Sequence, residues 1–333
     1  MALTPIDATP HQVPRPIRVF GRADVVRSLD YRKLIDALAE GFRRPPAPPI
    51  GRTVTPLAQE PHGLLVTMAV WGGVHGAVKL ATVFPGNPSQ RELPAIHAQI
   101  LLFDALTGEP LALVDGTETT LRRTAAASAL AASHLALAHA DSLLVIGTGA
   151  LAPHLIAAHT LVRPIRHVMI WGRSHAKAAA LAEAVGARRP DLVVEAAEDP
   201  AIAAARAQII SCATSAATPV LAGGWLSPGA HVDLVGGFSP QAREADDAVV
   251  RHARLFVDTR AGALSEAGDL LIPLASGVIS PGAILGELSE LCRGEVPGRI
   301  SAHDITVFKS VGAAIEDLIA AQLVLQRNPE ALE

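Results

Sequence analysis

Cysteine is scarce in this chain. Cys212 and Cys292 stand far apart and form no C-x-x-C pair, which argues against a disulfide framework or a thiolate zinc site and fits buried thiols in a reducing compartment. Cys212, within the apolar run IISCAT, reads as a core residue rather than a nucleophile. His75, His97, His154, His231 and His303 are scattered, without an i, i+4 pair and companion glutamate, so no metal is expected. Charge of one sign is missing as a block as well. The net charge is -4 and both signs are dispersed, which leaves no basic stripe for nucleic acid or an anionic membrane. The opening MALTPIDATPHQVPRPIRVF has no apolar core of the signal-peptide kind, so a cytoplasmic protein is expected with an extended lead-in. The longest uncharged run, residues 124–140, is interrupted by Ser128, Ser133, His134 and His139 and reads as a packed helix, not a membrane span. Internal repeats and low-complexity stretches are also absent.

What is present is apolar material in abundance, 50% of 333 residues, enough for two domains. Apolar positions at helical spacing predict one helix over 24–44, ended by the proline cluster at 45–49. Short apolar runs at 64–71, 76–84, 98–104 and 110–114 predict a twisted antiparallel sheet, with a hairpin turn at 104–109. A long helix over 119–140 links this region to alternating strands and helices. The strands expected there, 143–146, 168–171, 209–212, 231–235 and 255–258, make a doubly wound parallel sheet. An amphipathic helix from about 310 to 325 returns to the first region. The fold class is thus α/β, a Rossmann-type parallel sheet plus a discontinuous α+β domain, divided as 1–123 with 306–333 and 124–305.

The most informative segment is SLLVIGTGALA, an apolar strand running into Gly147-Thr148-Gly149-Ala150-Leu151-Ala152. Gly147 permits a tight turn, Gly149 lets backbone approach a pyrophosphate, and Ala152 keeps the following helix near the sheet. The run HVMIW then reads as the second strand of a βαβ unit. At its end a carboxylate would grip the ribose of NAD, and none is present. Trp171-Gly172-Arg173-Ser174 stands there instead, followed by His175 and Lys177, a set suited to the 2′-phosphate of NADP(H). NADP(H) is therefore the favoured cofactor and NAD(H) the alternative.

A nicotinamide enzyme also needs groups that hold the substrate where hydride reaches it. Arg52, Lys79 in GAVKLATVF, and Arg123 in TLRRTAAAS are the basic residues to consider. A lysine within an apolar strand implies an anionic ligand, unless it lies on a solvated outer face.

The run KLATVFPGNPSQRELPAIHAQILLFDALTGEPLALVDGTETTLRRTAAASALAASHLA resembles the ornithine cyclodeaminase and mu-crystallin family. GTGALA, HVDLVGGFSPQAREADD, VDTRAGALSEAGDL and ITVFKSVGAAIEDL extend the resemblance from about Arg52 almost to the carboxyl terminus. It implies a homodimer whose first domain carries both the interface and the substrate site. By the same resemblance Arg52, Lys79 and Arg123 grip a substrate carboxylate, and Met68 walls the pocket. Arg122 is the less favoured neighbour. Gly147, Gly149, Ala150 and Leu151 would contact phosphates, Arg173 and Ser174 the adenosine ribose phosphate, and Thr214, Val235 and Val311 the nicotinamide side. Glu244 and Asp246 would lie outside the immediate substrate contacts.

One departure bears on chemistry. Members that deaminate ornithine or oxidise alanine carry an aspartate base where this chain has Phe238. Oxidising an α-amine requires removing an ammonium proton, whereas a cyclic imine can enter already protonated and accept hydride at C2. The expectation is NADPH-dependent reduction of a cyclic ketimine, Δ1-pyrroline-2-carboxylate or Δ1-piperideine-2-carboxylate, to L-proline or L-pipecolate, with Phe238 pressing the ring toward the nicotinamide. Ornithine cyclodeaminase, alanine dehydrogenase and a mu-crystallin-like binding protein are the alternatives.

Overall fold

The computed structural model describes residues 16–44, 51–58, 63–237 and 239–328. Phe238, the proline cluster and most of the expected lead-in lie outside them. The chain is built on two sheets.

The first sheet contains β1 (Arg18–Phe20), β2 (Gly51–Leu57), β3 (Gly63–Gly72), β4 (His75–Val83), β5 (Ile96–Asp104) and β6 (Pro110–Asp115), in the order β1-β6-β5-β4-β3-β2. Its pairs are antiparallel except β1 with β6. The period-two pattern shows in β4, where Ala77, Lys79, Ala81 and Val83 are buried while Leu80 between them is 50% exposed. Strand β2 was not foreseen; it forms the sheet's edge, where Pro56, with no N–H to donate, is tolerated. The single helix expected over 24–44 is two, α1 (Arg22–Ser28) and α2 (Tyr31–Arg43). The break has a local cause: the Asp30 carboxylate accepts the Lys33 N–H at 3.2 Å and starts a new helix. Helix α3 (Asn87–Gln90) is a single turn between β4 and β5.

Helix α4 (Gly116–Leu135) starts and ends a few residues earlier than expected, its start fixed by Asp115, which accepts the Glu118 N–H at 2.7 Å. It packs on α2, α12 and β5 on one side and on α5 on the other. Every residue from Arg123 to Ala132 is buried, so small side chains are what allow both sheets to close on it.

The second sheet comprises β7 (Ser142–Ile146), β8 (His167–Trp171), β9 (Val193–Ala196), β10 (Ile209–Cys212), β11 (His231–Leu234), β12 (Arg254–Val257), β13 (Ile284–Glu287) and β14 (Thr306–Lys309). All pairs are parallel and the order is β13-β12-β14-β11-β10-β7-β8-β9. Around it lie α5 (Ala152–Val162), α6 (His175–Arg188), α7 (Pro200–Arg206), α8 (Asp247–Arg251), α9 (Arg260–Glu266), α10 (Gly268–Ala275) and α11 (Leu288–Arg293). The chain runs outward from β7 through β8 and β9, then resumes on the other side at β10. The switch point of this doubly wound sheet therefore lies between β7 and β10, where such folds bind ligands beyond the carboxyl ends of the strands.

Strand pairing and the extent of α4 bear on both expected domain boundaries. Residue 306 does not begin the return to the first sheet: it begins β14, which inserts between β11 and β12. The return follows Lys309, and α12 (Ala314–Gln326) then covers β3, β4 and β5. The boundary at 123 and 124 falls inside α4, a continuous helix shared by both halves. We propose two domains, one per sheet, with α4 between them. No helix among the described residues is long and apolar enough to cross a membrane. Cys212 and Cys292 are free and buried.

Candidate functional site

At the end of β7 the chain turns at Gly147, whose φ of 132° is unfavourable to any side chain. A Cβ there would stand 2.5 Å from the Ala213 carbonyl oxygen, so β7 and β10 meet too closely for anything but glycine. At Gly149 an added Cβ would meet nothing within 4 Å, which leaves open space over the turn. Gly149 and Ala150 are exposed, and α5 begins after Leu151 with no side chain capping it. An exposed glycine turn leading to an uncapped helix start suits a pyrophosphate. Arg173 and Lys177 are exposed beyond the end of β8, and Ser174 is the N-cap of α6, accepting the Lys177 N–H. The first turn of that helix has no acidic residue.

The residues expected on the substrate side meet on the first sheet. In the register of β2, β3 and β4, Arg52 pairs with Met68 and Met68 with Lys79, so the three lie in one row across adjacent strands. Arg123 reaches the same place from α4. Met68, Lys79 and Arg123 are each 4% exposed. Arg122 points elsewhere, bonding Glu118 at 2.8 Å and the Leu29 carbonyl at 2.9 Å.

Sequence reading missed the acids that face this row. Lys79 Nζ lies 2.7 Å from Asp317 Oδ2, while Arg123 donates to Asp317 Oδ1 at 3.1 Å and Glu316 Oε2 at 2.6 Å. Arg52 Nη2 is 2.7 Å from Glu266 Oε2. The visible signal was a pair of adjacent acids in the otherwise apolar GAAIEDL at the start of the last helix; their partners could not be read from sequence. Burial lowers Lys79 to about 8, helped by Arg123 and opposed by Asp317. Burial likewise pushes Glu316 up to about 7 despite Arg123.

Val311 joins this row to the second sheet. Its carbonyl accepts from Arg52 Nη1 at 2.8 Å, and its N–H, with that of Gly312, bonds Asp258 Oδ2 just beyond β12. Thr214 and Val235 follow β10 and β11 on the same strand-end edge, and a single carboxylate ties their loops together. Glu244 accepts from the Thr214 N–H at 2.6 Å, the Thr214 hydroxyl at 2.8 Å and the Gly236 N–H at 2.7 Å. Below it, Lys309 donates to the Gly236 carbonyl and pairs with Asp269 at 3.0 Å, and Asp269 accepts the Glu244 N–H at 2.7 Å. Glu244, Lys309 and Gly236 thus form a buried polar knot. Burial raises Glu244 to about 7, with the Lys309 ammonium and the N–H bonds opposing.

The glycine turn, Thr214 and Val235 thus lie at the strand ends of the second sheet, and Val311 joins that edge to the row of Arg52, Met68, Lys79 and Arg123. Arg173 and Ser174 lie at the neighbouring end of β8. No group of three or more histidine, cysteine or acidic residues among the described residues has the arrangement of a metal site.

The profile of the ornithine cyclodeaminase/mu-crystallin family matches residues 18–331. The chain is 38% identical over 313 residues to a Delta(1)-pyrroline-2-carboxylate reductase of Colwellia psychrerythraea, covering 93% of this chain and 99% of that protein. Its structure resembles that of the Thermococcus litoralis Delta(1)-pyrroline-2-carboxylate reductase in complex with NADH and L-proline, with a TM-score of 0.91, 33% identity and coverage of 94% and 98%. An archaeal alanine dehydrogenase dimer with bound NAD is similar at a TM-score of 0.85 and 26% identity, over 95% and 97% of the two chains.

Glu244 holds its proton more tightly folded than unfolded, with the folded value at about 7. A raised carboxyl value favours the folded state at low pH, so this contribution fades as pH rises from about 5 to 8. Against Glu244→Gln, the native chain is expected to lose on the order of 2–3 kcal/mol over that window, measured as unfolding free energy by denaturant titration at each pH. Parallel pH profiles for the two proteins would refute it.

Proposed function

This chain belongs to the ornithine cyclodeaminase/mu-crystallin family, and on that premise we propose that it reduces Δ1-pyrroline-2-carboxylate, and the six-membered Δ1-piperideine-2-carboxylate, to L-proline and L-pipecolate. It is a nicotinamide-dependent oxidoreductase acting on a carbon-nitrogen double bond. The observation that carries the substrate reading is the row of Arg52, Met68 and Lys79, completed by Arg123, facing the strand ends. Cationic donors set in a nearly dry wall beside an apolar side chain, each balanced by an acid that leaves Arg52 the most accessible, match a small ring that bears a carboxylate.

The glycine turn and the start of α5 fit a dinucleotide: Gly149 leaves room for phosphate, and α5 directs uncapped backbone toward it. When bound, the reduced nicotinamide supplies hydride. The protein's own residues then have three tasks. Arg52, with Lys79 and Arg123 behind it, orients the carboxylate; Met68 and the second sheet's strand ends exclude water; the Glu244 knot holds Thr214 and the Gly236 loop in place. No side chain is asked to remove a proton, because the imine enters protonated and the new C–H bond turns C=N into a neutral amine. Phe238 supplies no acid at the place where deaminating relatives carry one.

Arg173 and Lys177, with no acid in the first turn of α6, support NADPH as the preferred donor. The outer face of the first sheet supports a homodimer. Leu113, Leu101 and Val78 fall in one register row ending at Val19, which is 71% exposed, and Leu80 on the next row is 50% exposed. Such an apolar sheet face in a single chain marks an association surface.

Purified protein mixed with NADPH and Δ1-pyrroline-2-carboxylate should consume NADPH and yield L-proline. Ammonia release from ornithine, or tight cofactor binding without turnover, would replace this reading. Arg173→Ala should raise the KM for NADPH about tenfold and leave that for NADH nearly unchanged, since one charge-assisted contact is lost; equal effects on both would refute the phosphate role. Leu80→Glu should convert a dimer to a monomer in sedimentation velocity, and a dimer that persists would move the interface elsewhere.

A further inference from the structure

We propose that Glu266 is an internal competitor for the substrate's carboxylate and so sets the affinity of this site for imino acids, a proposal that rests on Arg52 being the carboxylate's receiver.

The three cations are not equivalent. Lys79 and Asp317 are both nearly fully buried, at 4% and 2% side-chain exposure, and Arg123 is held by Glu316 and Asp317 together. Gly312 backs the Arg123 guanidinium so closely that a Cβ there would lie 2.6 Å from Nη1. Asp317 Oδ2, like Glu266 Oε2, makes no aligned hydrogen bond, but these pairs are so deeply buried that breaking one would strand a charge away from water.

Arg52 differs. Its Nη1 is occupied by the Val311 carbonyl, but its buried Nε has no hydrogen-bond partner among the described residues. Glu266 Oε2 sits 2.7 Å from Nη2, yet that oxygen also has no aligned hydrogen bond. The Nε and Nη2 edge of a guanidinium is shaped to give two parallel bonds to one carboxylate. Glu266 meets a single corner of it. The pair is also the most accessible of the three, with 19% and 14% side-chain exposure.

Glu266 is poorly placed to compete. It is the last residue of α9, where the helix end disfavours negative charge, and burial raises its proton affinity, opposed by Arg52 and reinforced by the neighbouring Asp258. A ligand carboxylate arriving at Arg52 brings the same chemistry with better geometry and must evict Glu266. Binding is then an exchange of one carboxylate for another, and observed affinity is the difference between them.

The test is steady-state kinetics with Δ1-pyrroline-2-carboxylate at saturating reduced cofactor, alongside calorimetric binding of L-proline to the protein loaded with oxidised cofactor. Glu266→Gln should lower the KM and the L-proline Kd about fivefold. Glu266→Asp keeps the charge and should stay closer to the native values. Glu266→Ser provides a second neutral variant if the glutamine form does not fold. Arg52→Gln should raise both constants more than tenfold, and in the double variant the gain from Glu266→Gln should vanish. If Arg52→Gln weakens binding while neither neutral Glu266 variant tightens it, the competitor role is overturned and the carboxylate reading survives. If Arg52→Gln changes nothing, the carboxylate reading itself fails.

Discussion

Buried charge is the constraint on which this structure rests. Between the two sheets the chain places Arg52, Lys79 and Arg123 against Glu266, Glu316 and Asp317, most of them with almost no access to water. An ion so placed is tolerated only with a close partner of opposite sign, because the loss of hydration is otherwise several kcal/mol. Each cation comes from the first sheet or α4, and each anion from α9 or α12. The cleft thus has a definite shape because its charges have to meet.

A second buried cluster governs the opposite wall. Glu244, Lys309 and Asp269 are all at 2% exposure or less, and they fasten the loops after β10 and β11 to the end of β14. Gly236 is required at their centre, since a Cβ there would fall 2.1 Å from the Thr214 carbonyl oxygen. On the proposed reading one cluster shapes the substrate side and the other the cofactor side. Both use ion pairs where apolar packing would be cheaper, which fits a cleft that has to present fixed polar groups to a small ligand.

What the sequence disclosed was mostly local. The glycine turn at 147–149 follows from backbone geometry within a few residues, and the strands of the second sheet announce themselves as continuous apolar runs because both faces are covered. Lys79 was conspicuous for the same reason, a charge in an apolar strand. The hidden parts depend on long-range pairing. Asp317 finds Arg123 across 194 positions, and no spacing rule links them. TVFK was grouped with the first half and pairs in the second sheet, because parallel strand order is set by crossovers, not by the strand's own residues. The break between α1 and α2 was missed although its signal is local: Asp30 is a helix-start residue in the middle of an otherwise helical pattern.

The alanine run in α4 has a mechanical consequence. Ala125, Ala126, Ala127, Ala129, Ala131 and Ala132 are wholly inaccessible, wedged between elements of both halves. Sliding along such a close-packed post would open voids on one side and collide on the other. The second crossing of the chain, at 310–313, is tied down as well: Gly312 adopts a positive φ of 87°, and Asp258 and Arg52 bond the backbone on either side of it, so the two halves are joined at two fastened points rather than one.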